Sequence, residues 1–251
     1  AMIARETALM LGLPDKRLDR LVCASLLHDL GVSSTAVHRR LLHEADWDAR
    51  HTHCETGYCL LQPFAHLSQV AMAIRYHHTP WVELPAGLDE SDALDSNLIL
   101  LGDRVDACLL QLGLENPLFN RHGIVDAVAS LAGRELSPEV VEAFLAAATR
   151  EAFWIALVPR HVQSYLVDLP LKDWRITIDF PQFGHVARLI SSIVDAKSHF
   201  TAAHSLGVAQ LARYLGERVG LPADALAEVE VAGLMHDVGK LCVPDEIVDK
   251  P

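Results

Sequence analysis

The sequence has no apolar run long enough to span a bilayer; the richest stretch, residues 140–158, is broken by Glu142, Arg150 and Glu151. It has no excess of basic residues either. The formal net charge is −12, which argues against a broad electrostatic grip on a nucleic-acid polymer. Five cysteines (Cys23, Cys54, Cys59, Cys108 and Cys242) form no paired-thiol motif, so neither a disulfide framework nor a thiolate metal knuckle is expected, and the thiols read as reduced core filler. No basic, apolar leader precedes the first helix, and the expected location is cytoplasmic. Low-complexity segments are missing, and nothing alternates with strands as a parallel sheet would require.

What remains is helix and histidine. Half of the residues are apolar, as in a globular domain, and fourteen are histidine. The organising stretch is SLLHDLGV at residues 25–32, which returns as GLMHDVGK at residues 233–240. In each copy a His–Asp pair closes an apolar helical run, and Gly follows two residues later. Setting His28 on His236 gives an offset of 208 residues, which also matches Arg5 with Arg213, Gly12 with Gly220, Leu13-Pro14 with Leu221-Pro222 and Leu18 with Leu226. This is an internal repeat of a two-helix unit.

Periodicity predicts helices over residues 2–11, from Asp15 to His28, and over 37–43, 47–61, 67–78, 96–112 and 123–133. A further one runs from the Ser137-Pro138-Glu139 start to about 157, and the last before the repeat over 185–196. Gly12 reads as a C-terminal stop, and Asp15 as a cap for the second helix. Residues 80–88 read as a loop. Residues 162–183 lose the helical period, and WRITIDF (174–180) fits a short strand or an extended linker equally. The fold class is all-α. The expected division is a helical domain at 1–160, a connecting segment at 161–190 and the opening helices of a second domain at 191–251.

Polar residues that interrupt the apolar faces are His28, Asp29, His53, His77, His78 and Asp103, each on a separate helix or helix end. That is how a metal cluster is assembled inside a bundle. Mixed imidazole and carboxylate donors suit Fe, Mn, Zn or Ni and are too rich in nitrogen for Ca or a simple Mg site. Such a set can hold two ions about 3.5–4 Å apart, with a carboxylate bridging them. The competing reading is a bundle in which hydrogen bonds alone satisfy these groups.

The order and spacing of these residues resemble the HD phosphohydrolase superfamily, and within it the HD-GYP branch of cyclic di-GMP phosphodiesterases, over nearly the whole chain. His53 followed by Gly57 looks like the family's third-helix ligand, Tyr76-His77-His78 like its double histidine, and Gly102-Asp103-Arg104-Val105-Asp106 like its final aspartate motif. DAKSHFTAAHS (195–205) is similar to the opening of an HD-GYP domain, continued by His236-Asp237-Val238-Gly239-Lys240 and Val243-Pro244. The resemblance implies that His28, Asp29, His53, His77, His78 and Asp103 form one metal centre, and His204, His236 and Asp237 part of another. It implies two divalent transition-metal ions, Fe or Mn ahead of Zn or Ni. Asp29 would bridge the ions and orient the nucleophile, and Lys240 would place or neutralise a phosphate. The implied substrate is a cyclic dinucleotide, cyclic di-GMP, or another phosphoester.

Several departures bear on that expectation. The position matching His204 in the first repeat would precede Ala1, Val32 stands where the second repeat has Lys240, and residues 79–87 (TPWVELPAG) lack the DG-x-GYP element. The second repeat ends before its remaining ligands. These features support an alternative in which the first module is a non-catalytic regulatory or dimerisation domain. A nucleotidase acting on a phosphomonoester is a third reading. The half-covered apolar faces of the second module (Val208, Leu211, Leu215, Leu226, Leu234) are expected to pack on the first module or on a second copy of the chain.

Overall fold

A computed structural model describes residues 1–32, 50–113, 116–169, 177–196 and 204–243. The expected helix at 37–43, the first residues of the one at 47–61, residues 174–176 of WRITIDF, residues 197–203 of DAKSHFTAAHS, and Pro244 lie outside them. The described residues are helical with no strand apart from a single isolated bridge, Ala132 to Leu136, so the fold class is all-α. No helix among them is long and apolar enough to cross a membrane. The described residues divide into two compact units, 1–30 with 50–113 and 116–169, and 31–32 with 177–196 and 204–243.

The first unit holds α1 (Met2–Met10), α2 (Asp15–Leu27), α3 (Arg50–Leu61), α4 (Ser68–Arg75), α5 (Glu90–Leu112), α6 (Pro117–Ala129), α7 (Pro138–Ala148), α8 (Glu151–Ala156) and α9 (Pro159–Val167). Helix α5 is its axis and packs against α1, α2, α4, α6 and α7. Its central residues Asp95 to Leu101 are buried on every side, as expected of a helix surrounded by others. It begins six residues before the predicted start at Ser96 because Asp89 caps it, its side chain accepting from the Ser91 N–H. At the other end of the core Trp154 is fully buried among Phe144 and Phe153, and its indole N–H donates to the Ala148 carbonyl at 2.7 Å. Burying each such aromatic contributes about 1.5–3 kcal/mol.

Four local expectations are corrected. Asp15 is the first helical residue of α2, and Pro14 occupies the cap position without a side-chain bond. The single helix predicted from Ser137 to about 157 is two, α7 and α8, because Thr149 ends one and Arg150 turns extended before the other. The helix expected over 123–133 runs from Pro117 to Ala129, started by Pro at its first turn. Residues 159–167, where the helical period fades, form α9, also started by a proline.

The second unit holds α10 (Phe180–Ala196), α11 (His204–Arg218), α12 (Ala223–Met235) and a 3-10 turn at Val238–Cys242. Its core is small, built on Ala187, Ala209 and Leu234 with Val231 and Met235 against it. Gly233 lets α12 cross α11 closely, since a Cβ there would sit 2.6 Å from the Ala209 Cα. Of the apolar residues expected to find cover, Leu226 and Leu234 are buried, whereas Leu211 and Leu215 are 58% and 53% exposed.

The sequence repeat is also a repeat of local geometry. Helices α2 and α12 have the same length and start and stop at the same offset. Gly12 and Gly220 both take positive φ, +71° and +79°, a backbone state that other residues reach only at a cost of about 1–2 kcal/mol. Leu13 N–H donates to Ala8 O at 3.2 Å, and Leu221 N–H to Gly216 O at 3.0 Å. The helical hairpin that delivers each His–Asp pair is therefore built twice from one plan.

Candidate metal centre

In the first unit the ligand candidates arrive from four elements. His28 and Asp29 follow the last turn of α2, His53 lies in α3, His77 and His78 occupy the turn after α4, and Asp103 sits on α5. The structure brings all six together. Asp29, His53, His77 and His78 place ligand atoms within 4.8 Å of one another, and so do His28, His77 and Asp103. Asp29 straddles the two groups: Oδ1 lies 3.4 Å from His53 Nε2 and 3.9 Å from His77 Nε2, while Oδ2 lies 3.4 Å from His28 Nε2. On the far side Asp103 Oδ1 is 3.1 Å from His28 Nε2 and Oδ2 is 3.9 Å from His78 Nδ1.

The backbone fixes which nitrogens face inward. His28 Nδ1–H donates to Ser25 O at 2.9 Å and His77 Nδ1–H donates to Ile74 O at 2.6 Å, which turns the Nε2 of each toward the cluster. His53 is 3% exposed and His77 fully buried, and their Nε2 atoms lie 3.3 Å apart. His53 Nδ1 is buried without a hydrogen-bond partner among the described residues.

Burial sets the charge states. It pushes His53 down, His77 well down and His78 down to about 3, the neighbouring imidazoles adding to the effect on all three. His28 goes the other way, up to about 9: burial acts against its charge, but the Asp103 carboxylate, with Asp29 helping, outweighs it. Burial thus favours the neutral form of three imidazoles gathered about Asp29, and the backbone bond of His77 leaves its Nε2 lone pair facing them. A divalent cation would accept these donors together. The donor set fits an N- and O-liganded transition metal.

The second unit repeats the arrangement with fewer donors. His204, His236 and Asp237 lie within 4.8 Å of one another and are more exposed than the first cluster. His236 Nδ1–H donates to Gly233 O at 2.8 Å, the counterpart of His28 on Ser25 O. Lys240 Nζ donates to Asp237 Oδ2 at 2.7 Å and holds that carboxylate below its ordinary range.

Cys54, expected to be core filler, is buried at the edge of the cluster. Its Sγ lies 3.6 Å from His53 Nε2, and burial together with the charge of Asp29 pushes the thiol up to about 12, so it stands beside the cluster as a neutral group. His51, adjacent in sequence to the cluster, is exposed, as are His66, His122 and His185. The loop after His78 carries a short 3-10 turn, Trp81–Glu83, pinned by Trp81 N–H to Glu135 O at 2.9 Å and Val82 N–H to Arg134 O at 3.2 Å.

A helical core that gathers His-Asp, His, His-His and Asp in this order defines a class, and the chain belongs to the HD domain family, whose profile matches residues 1–146 and 201–251. It is 32% identical over 235 residues to a 3'3'-cGAMP-specific phosphodiesterase 1 of Vibrio cholerae serotype O1, covering 90% of this chain and 54% of that protein. A cyclic di-GMP phosphodiesterase of Pseudomonas aeruginosa is 37% identical over 68 residues, 27% of this chain and 16% of that one. The crystal structure of a cyclic GMP-AMP-specific phosphodiesterase from V. cholerae, V-cGAP3, superposes with a TM-score of 0.69 at 22% identity, over 100% of this chain and 67% of that one. The chain spans about half the length of the first of these relatives.

Proposed function

We propose that this chain carries the catalytic region of a metal-dependent phosphodiesterase that opens a cyclic dinucleotide. The observation that carries the reading is the first-unit cluster, where His53, His77 and His78 are neutral and share Asp29 with the His28–Asp103 group. Two divalent ions, Fe or Mn ahead of Zn or Ni, suit these donors and would supply a Lewis acid and a water acidic enough to ionise near neutral pH. Asp29 then orients the attacking oxygen from between the two groups, and the backbone carbonyls of Ser25 and Ile74 keep His28 and His77 in the donor tautomer. The relatives named above support a cyclic dinucleotide over a monoester, with 3'3'-cGAMP standing beside cyclic di-GMP as the substrate to be tried. The missing GYP element argues against placing the chain firmly in the HD-GYP branch. Action on a soluble dinucleotide accords with the cytoplasmic location expected from the sequence.

A second reading is favoured by one observation. Lys240 lies on Asp237 in the second unit, while the first repeat has Val32 in its place. Under that reading the first unit keeps fold and metal and serves regulation or pairing of copies. Metal quantification with a hydrolysis screen of 3'3'-cGAMP, cyclic di-GMP, nucleoside monophosphates and bis(4-nitrophenyl) phosphate separates the two. Turnover that vanishes in His77→Ala and Asp103→Ala supports catalysis at the first unit. Bound metal without any turnover supports the regulatory reading, and turnover undiminished by both substitutions removes the site assignment.

A further inference from the structure

An anionic phosphodiester entering a chain of net charge −12 needs fixed positive charge beside the metal ions, and the first repeat has no lysine at the position of Lys240. Arg104 supplies a cation elsewhere. It follows the cluster residue Asp103 on α5, and its Nε–H donates to Glu135 Oε2 at 2.9 Å, with Nη2 2.8 Å from the same oxygen. Glu135 is itself held by its backbone: its carbonyl accepts from Trp81 N–H at 2.9 Å and from Asn97 Nδ2 at 2.9 Å, and Asn97 Oδ1 accepts from the Ser137 N–H at 2.8 Å. Trp81 lies three residues beyond His78. Arg104 thus adjoins Asp103 on α5, and its partner Glu135 is bonded through the backbone to the loop that follows His78.

The single Glu135 oxygen takes the Nε–Nη2 edge of the guanidinium. The remaining N–H groups of the fork make no hydrogen bond among the described residues, and the side chain is 24% exposed. A guanidinium anchored on one edge loses little freedom when the other edge takes up a phosphate oxygen.

We propose that Arg104 contacts a non-bridging phosphate oxygen of the substrate at the first-unit centre, and that Glu135 is the positioning residue that aims it. The proposal rests on the phosphodiesterase reading above. It adds no metal ligand and no proton donor, only the anion-binding group that Val32 does not provide.

The test uses the full chain with Mn²⁺ in a His236→Ala background, which disables the second-unit cluster. Bound metal, the orthophosphate dissociation constant, and KM and kcat for 3'3'-cGAMP are measured for the parent, R104Q, R104K and E135Q; R104M, which keeps the aliphatic stem, replaces R104Q if the latter does not fold. Metal content should be the same in all. R104Q should bind orthophosphate about tenfold or more weakly, as expected for loss of a charged hydrogen bond. KM should rise more than kcat falls, R104K should recover part of the loss, and E135Q should raise KM by a smaller factor. A metal-loaded R104Q with parental phosphate affinity and KM overturns the arginine assignment and leaves the phosphodiesterase reading standing. A metal-loaded parent that neither binds phosphate nor turns over 3'3'-cGAMP overturns both.

Discussion

The Nε2 atoms of His53 and His77 face each other at 3.3 Å, and the Nδ1–H of His77 is already committed to the Ile74 carbonyl. Neutral imidazoles in that attitude oppose lone pair to lone pair unless His53 carries its proton on Nε2, which then leaves its buried Nδ1 as an acceptor without a donor. The metal-free cluster is thus strained by its own electrostatics, and a cation relieves it.

Replacing His53 with Leu, a similar apolar volume, should raise the thermal midpoint of the metal-free protein. Each kcal/mol gained corresponds to about 2–4 °C for a chain of this size. The same variant should lose most of its tightly bound metal. A calorimetric scan of chelator-treated protein beside elemental analysis checks both; a lower midpoint in the metal-free variant would contradict the proposed strain.

Removing metal from the parent should lower its midpoint, and restoring Mn²⁺ should raise it in a concentration-dependent way. At a hundred times the dissociation constant the expected stabilisation is about 2.7 kcal/mol. A His53→Leu/His78→Ala double variant should show little of that response.

Stability of the metal-free protein should peak near neutral pH. His28 is raised to about 9 when folded, so its contribution is present below the ordinary histidine value of about 6.5 and disappears as pH rises through 9. His53, His77 and His78 are lowered, His78 to about 3, so their contributions are present above 6.5 and disappear as pH falls. Urea midpoints of chelator-treated protein between pH 5 and 9.5 measure the profile. His28→Gln should flatten the alkaline side alone.

Lys240→Met should strengthen metal binding at the second-unit cluster by several fold, because an ammonium 2.7 Å from Asp237 Oδ2 competes with a cation for that carboxylate. Titration of Mn²⁺ into a His53→Leu/His78→Ala background isolates the second cluster. Unchanged or weaker binding would show that the lysine does not oppose the ion.

Gly233→Ala should destabilise the second unit, since the added Cβ meets main chain at Ala209 and one helix must move. Overpacking of this kind costs about 1–3 kcal/mol. The measurement is the denaturant midpoint, read through a probe placed in the second unit.

The repeat was legible because it rests on residues with obligate backbone roles. Gly12 and Gly220 need positive φ, Pro14 and Pro222 stand at the starts of α2 and α12, and the His–Asp pairs follow the last turns. The six first-unit candidates were legible because each interrupts an apolar face, and all six converge. Helix α9 was not legible because it is short and none of its residues is fully buried, so Val162, Tyr165 and Leu166 make a stripe of little more than one turn. Cys54 and Glu135 were out of reach for another reason. Their roles depend on the approach of elements distant in sequence, and neither cysteine beside histidine nor glutamate in a turn carries a local signal of that. Asp89 ahead of Glu90 carries an ordinary cap signal, but the apolar period of the helix starts later.

The carbonyls that lock the inward-facing histidines come from Ser25 in one repeat and Gly233 in the other. The acceptor is main chain, so it survives whichever side chain occupies the position. An amino-acid exchange three residues ahead of the histidine leaves its tautomer in place as long as the helix end keeps its shape. The inward-facing nitrogen is therefore insulated from drift in the surrounding sequence, and the two copies could diverge in packing without either losing the orientation of its imidazole.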